Sequence, residues 1–274
     1  MPFHAVIFPS MLMGQGDYIL PDQVVANEYL NVFNRRTGQS EKGSKSKGNM
    51  ISVDWALGHF SADSLRYYLC AVAPESKDAD FDWDDFMNRY NGELCDVVGN
   101  FVHRSLTMTV KNFDEKVPEA GEFEADDVAM LDAIGEHAEG VAESLENFRF
   151  RKGIERVVDL GRKANVYFDA RQPWVTRKTD LPRTGTTLHV CCQVVKALCG
   201  LMAPFLPDGA KTLAGTLGVP LPGGGPDGGP DAWAEIITRL PAGHPLAPPQ
   251  VLFPKLDKDR IAELAELHEK GLAK

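Results

Sequence analysis

Eight consecutive residues, Lys42-Gly43-Ser44-Lys45-Ser46-Lys47-Gly48-Asn49, carry the densest chemistry in the chain. Three lysines supply point charges and two serines supply small donors. Two glycines permit backbone angles and close approaches that other residues resist. This composition suits a mobile loop that holds phosphate. Read in isolation it also suits a solvated basic surface loop, so its neighbours must decide.

Further along, Asn100 and Arg104 are spaced i, i+4 within a helical pattern, which places both on one helix face. Asparagine offers a base edge both a donor and an acceptor, and arginine offers a fork of donors. Trp174 follows Pro173, whose ring ends a helix and can leave the indole facing solvent. The alternatives for these residues are an ordinary helix-surface pair and a core tryptophan.

The elements that must position these residues follow from periodicity and punctuation. Residues 3–14 are apolar and expected to be buried, with Pro9 tolerated in a first helical turn. Residues 24–33 read as a strand, and 34–48 as the basic loop. Ser52 starts a short helix, and Asp63 is the expected cap of the next. Residues 74–82 form an acidic connector. From Trp83 to Val110 apolar residues recur at helical spacing, which predicts one long helix despite Gly92 and Gly99. Amphipathic helices are expected over 126–148 and 149–170, a mostly apolar and central one over 187–205, and a short one over 208–217. Residues 219–230 are a Gly/Pro-rich loop, and 257–274 a charged terminal helix whose narrow stripe (Ile261, Leu264, Leu267) packs within the chain. The pattern predicts a mainly α protein: a short, incomplete α/β segment, a basic loop, then a helical bundle.

Composition narrows the function classes. The 274 residues give ample length for a buried core, and 43% hydrophobic with 25% charged content is that of a globular chain. The longest apolar runs fall short of the ~18 residues of a membrane span, and no basic stretch followed by an apolar core marks a signal peptide at the N-terminus. A formal net charge of -10 argues against a general nucleic-acid coat. Between Arg35 and Lys47, however, five basic residues face one acidic residue, Glu41, so any phosphate binding must be local and geometric. The five cysteines (Cys70, Cys95, Cys191, Cys192, Cys199) form no CxxC pair and are expected to be reduced core thiols. No metal-ligand spacing appears.

Lys42-Gly43-Ser44-Lys45-Ser46 resembles the KMSKS signature of class I aminoacyl-tRNA synthetases, with glycine in place of the usual methionine or phenylalanine. The segments around it make the resemblance specific: Phe3-His4, Phe8-Pro9 and Met11-Leu12 before it, the run from Leu20 to Leu30, Asp63 to Leu69 after it, and Val98 to Arg104 on the long helix. Together they are similar to methionyl-tRNA synthetases over residues 1 to about 215.

That resemblance implies a Rossmann-type catalytic segment over 1–51, a stem-contact segment over 52–113, a helical anticodon-binding bundle over 114–217 with the helix 83–110, and a loop and terminal helix over 218–274. It implies that Lys45 meets the ATP phosphates as the methionine carboxylate attacks the α-phosphate. Losing such a cation would cost roughly 3 kcal/mol in the barrier. Lys42 would be a weaker phosphate contact, and Ser44, Ser46 and Gly48 would shape the loop. Phe3 and His4 would line the methionine pocket, where an aromatic face and an imidazole suit a thioether. Asn100 and Arg104 would read a CAU anticodon, with an anticodon base stacked on Trp174. The implied partners are methionine, ATP with Mg2+, and tRNA, in the cytoplasm.

The family's His-Ile-Gly-His type motif occurs nowhere in the chain. The expectation is therefore a methionine–tRNA ligase fragment or one half of a split enzyme, inactive alone, with a separate chain supplying the first catalytic half. The alternative is a non-catalytic tRNA-binding module that uses Asn100, Arg104 and Trp174.

Overall fold

A computed structural model describes residues 2–44, 49–221 and 233–271. The chain opens with a wide π-helical turn, Phe3–Ile7, running into α1 (Phe8–Gln15). Contrary to the expectation of burial, neither stretch has a buried residue: Phe3 is 71% exposed, and Met11 and Met13 are also exposed. An apolar run drives burial only where a matching surface exists, and the described residues provide none for this one.

The expected strand over 24–33 shortens to β1 (Leu30–Asn34), because only there does the backbone find ladder partners. Two of those partners lie in segments expected to be loops. β2 (Gln39–Lys42) forms inside the basic loop and pairs antiparallel with β1. The turn between them is specified locally: the Asn34 side-chain oxygen accepts from the Arg36 and Thr37 amides, and Gly38 takes φ 67°. After α2 (Val53–Leu57) and α3 (Ala62–Ala71), β3 (Ala79–Phe81) emerges from the acidic connector and pairs parallel with β1, giving the order β2-β1-β3.

Ser52 caps α2 as expected, accepting from the Trp55 amide. The cap of α3 is Ser61, not Asp63. Asp63 is buried and reaches 146 residues along the chain to accept from the Gly209 amide at 2.7 Å. Burial is the largest influence on this carboxyl and raises its pKa, against the lowering effect of the Gly209 and Asp208 amides.

The long helix forms as α4 (Trp83–Arg89), a π-helical stretch Tyr90–Gly99 and α5 (Asn100–Asn112), continuous over roughly 40 Å. Its buried side, Trp83, Phe86, Tyr90, Leu94, Val98 and Phe101, keeps the predicted three-to-four-residue spacing.

The bundle follows: α6 (Ala125–Glu146), α7 (Phe150–Arg171), the short α8 (Pro173–Thr176), α9 (Leu181–Met202) and α10 (Pro207–Leu217). α9 begins six residues before the expected start. Asp180 caps it by accepting from the Arg183 amide, and Pro182 sits in the first turn, where its missing N–H costs nothing. α9 packs on α5, α6, α7 and α10. In length and hydropathy it would suffice to cross a membrane, a point the apolar-run reading missed, but 94% of its apolar window is buried inside the bundle. Cys191, Cys192 and Cys199 lie on it, all buried and free; burial pushes the last two thiols up to about 12. Gly153 lets α7 approach this layer, since a Cβ there would lie 2.7 Å from the Phe205 ring.

Beyond the partly described Gly/Pro-rich segment come α11 (Ala234–Ile237) and α12 (Lys258–Glu269). α12 lays Ile261, Leu264 and Ala265 against α4, so its apolar stripe is used within the chain.

Candidate nucleotide and nucleic-acid sites

The phosphate-loop candidate hangs from the β1–β2 hairpin. Lys42 closes β2, and its Nζ lies 3.6 Å from the Tyr29 ring centroid, held by a cation–π contact at the surface. Both legs of the loop are tied by Asn49. Its Oδ1 accepts from the Ser44 amide at 2.7 Å, and its Nδ2 donates to a Glu41 carboxylate oxygen at 3.2 Å and to the Lys42 carbonyl at 3.3 Å. Lys45, Ser46 and Gly48 lie outside the described residues. At Gly43, a Cβ would meet the Met50 side chain at 3.2 Å. Met50 thus stands beside the position where the family places an apolar side chain.

Next to the loop legs lies an open, largely apolar groove of about 680 Å³, bounded by Tyr29, Lys42, Gly43, Met50, Arg66 and Trp83. Phe3 and His4 do not line it; they stand exposed on the first helical turn. No group of three His, Cys, Asp or Glu side chains among the described residues could hold a metal ion.

The second candidate site does assemble. Asn100 is exposed at the start of α5, and Arg104 follows one turn later on the same face. The Arg104 guanidinium carbon lies 4.7 Å from the Phe168 ring centroid and 5.6 Å from that of Trp174. One of its nitrogens donates to Asp169 at 2.9 Å. Trp174 is 37% exposed, with its ring centroid 5.8 Å from that of Phe168. The bend that presents it is built by backbone and charge. Gln172 takes φ 44°, a left-handed turn closing α7, and Pro173 starts α8. Behind the bend, buried Asp127 at the start of α6 accepts from Tyr167 at 2.6 Å and from Arg183, with Arg171 at 3.6 Å. Burial acts to raise the Asp127 pKa, but the bonds from Arg183, Tyr167 and the Glu124 amide outweigh it and hold the carboxyl below its ordinary value.

Sequence reasoning missed Tyr29, Phe168 and Asp169, and gave Asn49 no role of its own within the basic run. Tyr29 carried no local signal of its cation–π contact with Lys42. Phe168 and Asp169 read as ordinary members of an amphipathic helix.

Residues 1–106 match the family model described as "tRNA synthetases class I (M)", and residues 117–270 match the "Anticodon binding domain of methionyl tRNA ligase". A methionine–tRNA ligase of Pyrococcus abyssi is 39% identical over 95% of this chain and 35% of its own length. One of Salinibacter ruber is 40% identical over 98% of this chain and 39% of its own. The chain thus spans well under half the length of these relatives. A Mycobacterium tuberculosis methionyl-tRNA synthetase solved with methionyl-adenylate superposes with a TM-score of 0.79 at 33% identity, over 92% of this chain and 48% of that one. With both segments matched in order across nearly its whole length, the chain belongs to the methionyl-tRNA synthetase family of class I aminoacyl-tRNA synthetases.

Proposed function

We propose that this chain is the phosphate-loop and anticodon-reading part of a methionine–tRNA ligase, a cytoplasmic translation enzyme. In that reaction the methionine carboxylate attacks the α-phosphate of Mg2+-bound ATP, pyrophosphate leaves, and the activated methionine passes to tRNA. The role assigned to the loop is electrostatic. Negative charge grows on the departing phosphates, and a lysine positioned before the reaction stabilises it without reorganisation. Lys45 takes that role and Lys42 a weaker one, with Ser44, Ser46 and Gly48 shaping the loop. Phe3 and His4 form part of the methionine pocket. Asn100 and Arg104 bond base edges of a CAU anticodon, and one base stacks on Trp174. The division into catalytic, stem-contact, anticodon-binding and terminal segments at 51, 113 and 217 follows this reading.

The observation that carries the proposal is family similarity through both loop and bundle, with Arg104 and Trp174 meeting at one surface. We infer further that catalysis needs the first half of the catalytic domain, in the same polypeptide or as a separate chain. The exposed apolar side chains of Phe3, Met11 and Met13 and the open apolar groove support this, as does the share of the relatives' length that the chain spans. In-line transfer requires both substrates to be held. Methionine-dependent ATP–pyrophosphate exchange tests the point. The chain alone should be inactive, and activity should appear when the family's first half is supplied. It should fall at least 100-fold with Lys45→Ala, the rate equivalent of roughly 3 kcal/mol. Robust exchange by the chain alone would overturn the requirement. Anticodon binding with no exchange in any assembly would leave a non-catalytic module.

A further inference from the structure

His268, in the last turn of α12, joins two elements far from it in sequence. It is buried, at 4% exposure. Its Nδ1 accepts the Trp83 indole N–H at 3.4 Å, and its Nε2 lies 3.1 Å from the Asn49 carbonyl oxygen. An indole can only donate here and a carbonyl can only accept. Both partners therefore select one form of the ring: neutral, bare at Nδ1 and protonated at Nε2.

The two ends of this relay differ in surroundings. Trp83 is 2% exposed and wedged among Trp55, Phe60 and Phe81, with ring centroids 4.9–6.1 Å away. The entry to α12 is fixed to the long helix as well: Asn91 donates to the Leu256 carbonyl at 2.9 Å and accepts its amide at 2.8 Å. Asn49, by contrast, is the residue whose side chain ties the two legs of the phosphate loop.

We propose that His268 is a positioning residue for Asn49 and, through it, for Lys42 and Ser44. It fixes the Asn49 carbonyl to a rigid anchor, so that the Asn49 side chain meets the Ser44 amide and the Lys42 carbonyl in one geometry. α12 thus holds Asn49 through its last turn. The inference deepens the ligase reading and rests on it for its catalytic consequence, but the contact itself stands on this chain's own geometry.

Two measurements separate the two. In the chain alone, amide hydrogen exchange at Ser44 reports the Asn49 tie without any need for activity. In the enzyme assembled with the first catalytic half, pyrophosphate exchange reports its effect on chemistry. His268→Ala should speed Ser44 exchange at least tenfold. It should lower kcat at least tenfold, leave the KM for methionine within twofold, and leave anticodon stem-loop affinity unchanged. His268→Gln should restore both readouts to within about threefold, because its amide can accept from Trp83 and donate to Asn49. If His268→Ala fails to fold, His268→Phe, which fills the space without a polar atom, takes its place. Unchanged Ser44 exchange and kcat in a folded variant would overturn the proposal, as would equal loss in the alanine and glutamine variants. An inactive wild-type assembly would count against the ligase reading alone, and Ser44 exchange would still decide the role of His268.

Discussion

Trp174→Ala tests the proposed anticodon surface most directly. The ring is 37% exposed, which leaves it a face for a ligand, while Phe168 and Arg104 fix its other surroundings at 5.8 and 5.6 Å. Stacking of an unpaired base on such a ring is worth ~1–3 kcal/mol. At about 1.4 kcal/mol per tenfold, the variant should bind a CAU stem-loop roughly 5- to 150-fold more weakly. The effect on folding is read separately. With the burial of its covered part included, the lost aromatic pair and cation–π contact sum to ~2–5 kcal/mol, which thermal melts monitor against the ~5–15 kcal/mol of a typical domain. Stacking tolerates any base, so Trp174→Ala should weaken stem-loops with a changed anticodon as well. The proposed reading assigns discrimination to Arg104, whose bond to Asp169 is half-exposed, worth under about 1 kcal/mol, and readily exchanged for a base edge. Arg104→Ala should therefore narrow the ratio between CAU and altered stem-loops. Fluorescence titration of both stem-loops, with thermal melts as a folding check, measures each quantity. A folded Trp174→Ala protein that binds the CAU stem-loop within twofold of wild type would refute the reasoning.

Two stability predictions follow from buried carboxyls. Replacing Asp127 weakens the buried acceptor of Tyr167 and Arg183 at the base of the Trp174 bend, while Glu124 and Asp126 still pair the arginines, so Asp127→Asn should cost ~1–3 kcal/mol in urea unfolding. Its folded pKa is depressed, so the stability it lends is present above the unfolded value near 3.9 and is lost as pH falls through the folded value. The wild-type midpoint should drop steeply below about pH 4, and the variant's much less. Asp63→Ala orphans the buried Gly209 amide and should cost ~1–3 kcal/mol, whereas Ser61→Ala, losing an ordinary cap, should cost ~1 kcal/mol. Equal losses would place Asp63 back in its own helix's cap.

The sequence by itself determined what repeats locally. Apolar spacing located the long helix and the bundle, Ser52 announced the start of α2, and the side-by-side placement of Asn100 and Arg104 follows from helix geometry alone. The lysine- and glycine-rich run identified itself through residue type. Tertiary structure decided everything that depends on a distant partner. β1 is only as long as β2 and β3 allow, and the apolar run 3–14 could not announce that no described surface covers it. Asp63 looked like a local cap, yet carboxylates go to whichever buried amides lack partners, and those lie at the start of α10. The pairing of Arg104 with Trp174, and of His268 with Asn49 across 219 residues, has no trace in any periodicity. Local patterns fix which face of an element is apolar, but the contacts that give a polar side chain its role are set only when the elements pack.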